Sequence, residues 1–323
     1  MRRNGPSAAA FLSPGNEMVN MRYRPKHKSN KTIRHGLLSI LIVLLLCVFT
    51  YSAVKLTQGL LEAKKERDAF AALAEIVVRN SNPDERAAVQ KEVDGQAHGE
   101  GRSGEAASDP AADPIAEDTL LDPNESLPPA RTILPQYKEL LEMNPDFLGW
   151  ISIKGTVIDY PVMYSPDRPE FYLDHAFDGS ASGSGVPFID YRCPVDGNYY
   201  LIYGHHMQNK TMFAQLLQYD SKSFFDEHPT FRFDTIYEER EYQVMAAFRS
   251  RVYGQDETNE FCYYRYFDLS QEEVFDEYVR QVLASALYDT GVKAEYGDEL
   301  LAFSTCSYHV DNGRFVLVAK RVA

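Results

Sequence analysis

The sequence predicts a mainly β domain, built as a closed or nearly closed antiparallel barrel, behind one N-terminal transmembrane helix. Short β-rich segments alternate with Gly, Pro, Asn and Asp through residues 131–323, a pattern typical of barrels. A single stretch before the last strands has the apolar spacing of an amphipathic helix. One run of 19 residues near the N-terminus carries no charge, which is about the length that crosses the hydrocarbon core of a bilayer.

The uncharged run, residues 36–54, predicts a transmembrane anchor. Residues 1–35 form a basic segment with eight Lys or Arg against one acid, so the positive-inside rule predicts a cytoplasmic N-terminus and an extracellular remainder. A cleaved signal peptide is the alternative. The run is longer than the usual apolar core of a signal peptide and no small-x-small cleavage site follows it, which favours an uncleaved anchor.

Residues 55–130 predict an extracellular stalk followed by a flexible linker. The stretch from Leu60 to Ser81 has a helix-forming composition that can continue the membrane helix outward. From Asp94 to Pro129 the chain has almost no large apolar residue, so it cannot offset the entropy of ordering. The chain has 33 basic and 47 acidic residues, with most of the acids outside the N-terminal segment, and this charge argues against binding nucleic acid.

Two helices and a tryptophan-bearing strand are expected within the folded domain, residues 131–323. A short helix is predicted at Pro135–Met143, because Asn-Pro stops it, and the strand that carries Trp150 follows. A longer helix is predicted over Gln271–Leu287, before the last two strands. The Ser-x-x-Glu pattern at Ser270 and Glu273 predicts a capping box at its start.

The C-terminal stretch LAFSTCSYHVDNGRF places a cysteine at the end of one predicted strand and an arginine at the start of the next. Leu300 to Thr305 reads as a buried strand, Asp-Asn-Gly at 311–313 as a turn, and the residues from Arg314 as a return strand. Side chains reach the surface at strand ends. We therefore expect Cys306 and Arg314 to lie close together at the edge of the domain.

The cysteine count argues against a disulfide scaffold. Cys47 lies in the predicted membrane span, which leaves Cys193, Cys262 and Cys306 as an odd set outside the cell. A domain of this size needs no disulfides for stability. By composition alone Cys306 is either a structural thiol or a nucleophile, whereas Cys193 and Cys262 are expected to be incidental.

A histidine pair supplies a general base in the stretch YLIYGHHMQNKTMF. His205 and His206 follow a strand-like run, where an imidazole can exchange a proton with a group on a neighbouring strand. Cysteine, histidine and arginine together form a coherent set for nucleophilic attack on a carbonyl. A zinc site formed by these two histidines, Cys306 and His309 is the alternative. It is disfavoured because adjacent strand residues point to opposite faces.

Four segments in this order resemble a class B sortase: NPDFLGWISIKGTVIDYPVM, YGHHMQNKTMF, LYDTGV and LAFSTCSYHVDNGRFVLVAKRV. The resemblance covers Leu134 to the C-terminus and stands behind an N-terminal anchor, as in that family. Sortases usually read Thr-Leu-x-Thr-Cys, whereas residues 302–306 read Ala-Phe-Ser-Thr-Cys. The chain therefore keeps the residues next to the nucleophile and departs upstream of it.

The resemblance implies site residues and a fold. Cys306 is the expected nucleophile, His205 the general acid/base and Arg314 the arginine that stabilises the oxyanion or positions the substrate. Ser304 and Thr305 are expected to bind substrate, with a structural strand-end role as the alternative. The implied fold is a sortase-type eight-stranded β-barrel with an N-terminal helical segment and a helix before the last strands.

Two further readings concern neighbours of these residues. His206 as the active imidazole is a minor alternative, because adjacent strand residues do not share a face. Asp311 either orients His205 or, more commonly for Asp in such a pattern, forms the turn. We expect His309 to be a loop residue near the site.

The resemblance also implies an activity. Sortases of this type, from Gram-positive bacteria, cleave a C-terminal sorting signal after its Thr, hold the protein as a thioester and pass it to an amine. The expected partners are surface or pilin proteins with such a signal, a peptidoglycan precursor or lysine as acceptor, and the membrane through residues 36–54. No metal or organic cofactor and no nucleic acid is expected. A cysteine hydrolase that uses water as acceptor and an inactive membrane-tethered scaffold are the alternatives.

Overall fold

The computed structural model describes residues 30–81, 131–254, 256–257 and 260–323. Most of the predicted basic segment and the predicted linker from Asp94 to Pro129 lie outside the described residues. The chain divides into two compact units, one ending at Leu61 and one running from Glu62 to Ala323.

Helix α1 spans Asn30–Ser81, so the predicted continuation of the membrane helix to Ser81 is confirmed. A membrane-spanning candidate, and the only one among the described helices, lies in this helix at His35–Ser81, where the most apolar window has a mean hydropathy of 2.7 and no buried residue. Length and composition carry this finding. They fit the single-pass anchor predicted at residues 36–54.

The second unit contains an eight-stranded closed barrel, which confirms the predicted fold. The strands run around the barrel in the order β1-β2-β3-β4-β7-β8-β6-β5. Their bounds are β1 Phe147–Ser152, β2 Asp159–Met163, β3 Phe188–Ile189, β4 Tyr199–Tyr203, β5 Thr230–Thr235, β6 Glu241–Arg251, β7 Leu300–Cys306 and β8 Gly313–Arg321. Closure pairs each described strand with a neighbour on both sides, which removes the exposed edges that could pair with other chains.

Short helices lie between the strands of the barrel or precede them. The predicted helix at Pro135–Met143 is confirmed as α2, α3 is Lys222–Glu227 and α4 is Glu272–Ser285. In the described part of the chain, 3₁₀ helices lie at Phe171–Leu173, Phe213–Asp220 and Tyr263–Arg265.

The predicted capping box at the start of α4 is wrong. The helix begins one residue after Gln271, and its N-cap makes no side-chain hydrogen bond. Instead the amide of Ser270 donates to the Asp268 carboxylate at 2.9 Å, which turns the chain before the helix starts and leaves Ser270 outside it. The buried face of α4 consists of Phe275, Tyr278, Val279 and Val282. Leu283 of the same helix is 39% exposed.

Strand pairing is mainly antiparallel, with β2–β3 and β4–β7 as the parallel pairs. In the β4–β7 pair Tyr199 lies opposite Leu300 and Tyr203 opposite Ser304, so both strands end at the same rim of the barrel. Parallel neighbours always present their C-terminal ends on one side. This pairing brings together two segments that lie a hundred residues apart in the chain.

The barrel interior is filled by apolar and aromatic side chains. Strands β7 and β8 are buried along most of their length, as expected for strands covered on both faces. A second cluster packs outside the barrel around Phe147, Trp150 and Tyr172, and it includes Leu73 of α1, which is 6% exposed. The part of α1 that follows Leu61 therefore shares a core with the barrel.

Candidate active site

Cys306 and Arg314 lie opposite each other where β7 and β8 meet their connecting loop. The amide of Ser307 donates to the Gly313 carbonyl at 2.9 Å and closes this hairpin. A Cβ atom on Gly313 would lie 2.1 Å from the Ser307 carbonyl oxygen, so only glycine permits this close approach of the two strands. The strand register therefore confirms that Cys306 and Arg314 lie close together, as predicted.

His205 reaches the same rim through β4. The Gly204 amide donates to the Ser304 carbonyl at 3.2 Å, and the Thr305 hydroxyl donates to the Gly204 carbonyl at 2.7 Å. These bonds continue the β4–β7 pairing beyond the last strand residue. Because Gly204 still bonds to Ser304 and Thr305, the residue that follows it, His205, lies at the same rim of the barrel as Cys306.

The two histidines contact different carbonyl groups. His205 Nε2 lies 2.7 Å from the Leu173 carbonyl oxygen, and His206 Nδ1 lies 2.9 Å from the Cys306 carbonyl oxygen. A carbonyl only accepts, so these contacts place a proton on His205 Nε2 and on His206 Nδ1. Each imidazole is therefore held in a single tautomer when it is neutral.

Both histidines lie beside the Cys306 strand, so the alternation of faces along a strand does not separate them. β4 ends at Tyr203, and the chain has left strand geometry before it reaches either residue. The His206 ring packs against the exposed Tyr308 at a centroid distance of 5.2 Å. The alternation of strand faces therefore does not argue against His206, and the preference for His205 rests on the resemblance.

The loop after the histidines has an unusual backbone. His206 pairs with Met212, whose φ of 54° lies in the left-handed region, as does that of Lys210 at 64°. The Phe213 amide donates to the His205 carbonyl at 2.9 Å and the Met212 amide donates to the Tyr160 hydroxyl at 3.2 Å. These bonds hold the loop in its strained shape.

Tyr263 lies behind the site and sequence reasoning missed it. It is 1% exposed, and its hydroxyl lies 2.7 Å from that of Ser304. Burial raises its pKa well above the usual value, and its hydroxyl is close enough to Arg314 and Cys306 for their charges to act on it. Only the aromatic-rich stretch CYYRY at 262–266 pointed to this region, and it carries no chemical motif.

The side chains of Ser304 and Thr305 are buried, at 1% and 2% exposed, and both hydroxyls are taken by internal partners, Tyr263 and the Gly204 carbonyl. This placement favours the structural strand-end alternative for their side chains. Asp311 is exposed in the turn.

The other cysteines and His309 make different contacts. All four cysteines are free, with Cys193 and Cys262 buried and Cys306 partly exposed. Burial raises the pKa of Cys193 to about 12, so it is a thiol at neutral pH. His309 contacts the Ser307 hydroxyl at 2.9 Å. Within the described ranges, no group of three or more His, Cys, Asp or Glu side chains is placed to hold a metal ion.

Comparison with known proteins identifies the family. No family model matches the chain. The chain is 32% identical over 192 residues to sortase B of Listeria monocytogenes, covering 58% of this chain and 74% of that protein. It is 28% identical over 192 residues to sortase B of Staphylococcus aureus, covering 58% of this chain and 75% of that protein.

Solved structures agree with this assignment. The crystallographic complex of Staphylococcus aureus sortase B with substrate superposes with a TM-score of 0.52 at 26% identity, covering 59% of this chain and 86% of that one. The matched share of the chain is about the size of the barrel domain. The chain therefore belongs to the class B sortases, which are cysteine transpeptidases of the cell surface.

Proposed function

We propose that the protein cleaves a C-terminal sorting signal after its threonine, holds the cleaved protein as a thioester on Cys306 and transfers it to an amine. The observation that supports this most is the shared rim. The parallel β4–β7 pair and the antiparallel β7–β8 pair bring His205, Cys306 and Arg314 to one end of the barrel. These three residue types supply a nucleophile, a proton carrier and a fixed cation.

In the first half-reaction the Cys306 sulfur attacks the carbonyl carbon of the threonine. The carbonyl oxygen becomes an oxyanion, which the Arg314 guanidinium stabilises. His205, as imidazolium, gives its proton to the departing amine as the C–N bond breaks. The products are a thioester on Cys306 and a free C-terminal fragment of the signal.

In the second half-reaction the amine of the acceptor attacks the thioester carbonyl. Neutral His205 takes the proton from the attacking nitrogen, and the collapse of the tetrahedral intermediate releases Cys306 as a thiolate. The reaction consumes one amine and regenerates both the sulfur and the imidazolium. If water replaces the amine, the same steps yield hydrolysis.

Ser304 and Thr305 support the substrate groove through the backbone in this proposal. Their hydroxyls hold Tyr263 and the Gly204 carbonyl, which fixes the strand end on either side of the nucleophile. The loop that carries the two histidines, residues 204–212, is called the histidine loop. The groove between the β7–β8 hairpin and the histidine loop binds the signal in an extended form, with side-chain pockets that set specificity.

The proposed substrates are surface or pilin proteins that carry a C-terminal sorting signal, and the proposed acceptor is an amine of a peptidoglycan precursor or a lysine of another subunit. The Staphylococcus aureus relative has been solved with its substrate, which supports a peptide in this groove. Residues 1–35 are cytoplasmic, residues 36–54 cross the membrane, and residues 55–130 connect the anchor to the extracellular catalytic domain, residues 131–323.

The test uses the full-length chain in detergent micelles with a library of quenched fluorescent peptides of the Asn-Pro-x-Thr and Ser/Asn-Pro-x-Thr-Gly types, with and without triglycine. Mass spectrometry reads the products. Cleavage after threonine and joining to triglycine, both lost in Cys306→Ala, support the proposal. Cleavage without joining at any triglycine concentration contradicts transpeptidation and favours hydrolysis.

A further inference from the structure

The helical segment Glu62–Ser81, which follows the predicted membrane span, packs one face against the barrel. The side chains on this face recur at helical spacing. They are Glu66, Phe70, Leu73, Ala74 and Val77. The opposite face is open to solvent, with Val78 69% exposed. We call this segment the membrane-proximal helix.

Phe70 of the membrane-proximal helix reaches the histidine loop through one intermediate residue. Its ring packs edge-on against Tyr160 at a centroid distance of 4.9 Å. The Tyr160 hydroxyl accepts the Met212 amide at 3.2 Å, and Met212 pairs with His206. The position of the Tyr160 ring therefore determines whether the amide of Met212, whose backbone is strained, keeps its hydrogen bond to the Tyr160 hydroxyl.

Glu66 reaches the other side of the His205 ring by a separate route. The Ser182 hydroxyl donates to the Glu66 carboxylate at 2.9 Å, and the Ser182 amide donates to the Asp174 carbonyl at 2.9 Å. Asp174 directly follows Leu173, whose carbonyl accepts from His205 Nε2 at 2.7 Å. One end of the imidazole is thus fixed by a segment that the helix holds.

A cavity of about 210 Å³ lies beside these contacts, lined by Phe70, Tyr160, Ser184 and Met212 among others. This pocket is half open to solvent, so the groups that line it face water rather than packed side chains on that side. The support that Phe70 gives to Tyr160 is therefore not duplicated on the cavity side.

Backbone strain is concentrated in the same segments. Among the described residues, the non-glycine positions with positive φ are Glu170, Lys210, Met212 and Asn312. Glu170 precedes the Leu173 carbonyl, and Asn312 precedes Arg314. Lys210 and Met212 lie in the histidine loop. Such conformations persist only where neighbouring groups hold them.

We propose that the membrane-proximal helix positions the catalytic histidine, with Phe70 and Glu66 as positioning residues that act on it through Tyr160–Met212 and Ser182–Asp174. The inference rests on the proposed role of His205. It assigns the membrane-proximal helix a role in catalysis. Neither residue touches the reacting atoms, so both act only on the placement of the imidazole.

The test measures kcat and KM for transfer of the best peptide to triglycine, with full-length protein in micelles. Phe70→Ala and Glu66→Ala are expected to lower kcat about tenfold or more with KM changed less than twofold, because small displacements of a catalytic group have effects of this size. Glu66→Gln keeps an oxygen that accepts the Ser182 hydroxyl and is expected to regain most of the rate. Glu75→Ala and Val78→Ala change exposed positions of the same helix and serve as matched controls.

Thermal unfolding of each variant separates positioning from loss of fold. A kcat for Phe70→Ala and Glu66→Ala equal to that of the controls overturns the inference, as does a loss of rate that only matches the unfolded fraction. If Phe70→Ala fails to fold, the Glu66→Ala and Glu66→Gln pair decides. If the wild-type protein joins no peptide to triglycine, or if His205→Ala keeps full activity, it is the proposed function that fails.

Discussion

Cys306 and Arg314 are register partners across the β7–β8 hairpin. Directly opposed residues of an antiparallel pair point to the same face, with the strands about 4.8 Å apart. The thiol and the guanidinium therefore share one face of the barrel rim. Arg314 is also held by the carbonyl of Gly313, which accepts from its Nη1 at 3.0 Å.

This pairing predicts that Arg314→Lys is nearly as damaging as Arg314→Ala. A lysine ammonium is a point charge on a flexible stem and cannot reproduce the planar fork of donors that holds both a backbone carbonyl and an oxyanion. We expect kcat/KM to fall about 10²–10³-fold, the range seen when one oxyanion donor is removed. Steady-state peptide transfer measures it. A lysine variant within threefold of wild type would show that charge alone is sufficient.

The two histidines are expected to differ in effect. His205→Ala should lower the rate of peptide transfer about 10²–10⁴-fold, the usual contribution of general acid–base catalysis. His206→Ala removes a contact to the Cys306 carbonyl and should cost less than about tenfold. The same assay compares them, and a greater loss in His206→Ala would reassign the proton carrier.

Tyr263 and Ser304 form a buried hydroxyl pair whose loss should appear as lower stability. Tyr263→Phe leaves the Ser304 hydroxyl buried without that partner, and we expect the free energy of unfolding to fall by about 1–3 kcal/mol. Urea unfolding followed by tryptophan fluorescence measures it. Tyr308→Phe, at a position 74% exposed, is the matched control and should change stability little.

Asp190 should make stability depend on pH at the acid end. Burial of its carboxylate would raise its pKa, but the hydrogen bonds and charge of Arg192 outweigh burial and hold the pKa below its usual range. The side chain is 4% exposed and accepts from Arg192 at 2.9 and 2.6 Å and from Tyr203 at 3.0 Å. A depressed carboxylate pKa stabilises the fold above the unfolded-state pKa of about 4 and loses this contribution as pH falls through the folded-state pKa.

Unfolding midpoints measured from pH 2 to pH 6 check this linkage. Asp190→Asn should be less stable than wild type above pH 4, and the difference should shrink as the pH falls further. Asp196→Asn changes a carboxylate of the same region whose side chain is 67% exposed, and it serves as the control. A constant difference between Asp190→Asn and wild type at every pH would contradict the prediction.

Leu73 ties the membrane-proximal helix to the barrel. Leu73→Ala removes a side chain that is 6% exposed and packs with Tyr172, so we expect a loss of about 2–5 kcal/mol in the free energy of unfolding. Val78→Ala, on the open face of the same helix, should change it by less than about 0.5 kcal/mol. Equal effects of the two substitutions would show that the helix face is not buried in solution.

Local sequence patterns predict the last two strands and the turn between them. An apolar run, an Asp-Asn-Gly turn and a second apolar run are short-range signals, so the hairpin that carries Cys306 and Arg314 was predicted with its register partners close together. The start of α4 was not predicted correctly. The Ser-x-x-Glu pattern is present, but the Ser270 amide donates a hydrogen bond to the Asp268 carboxylate, and Ser270 stays outside the helix. The pattern does not show this competing local bond.

The sequence by itself determined the membrane-span candidate, the barrel class, the C-terminal hairpin and the residue types of the proposed active site, because each depends on periodicity, composition or spacing within a few residues. Only the tertiary structure decided that the β4–β7 pairing brings His205 to the same rim as Cys306, that Tyr263 lies behind the site, and that the membrane-proximal helix contacts Tyr160 and Ser182. These contacts join segments about 40 to 120 residues apart. Such contacts depend on which faces of distant elements pack together when the whole core forms, and a local sequence pattern does not specify that packing.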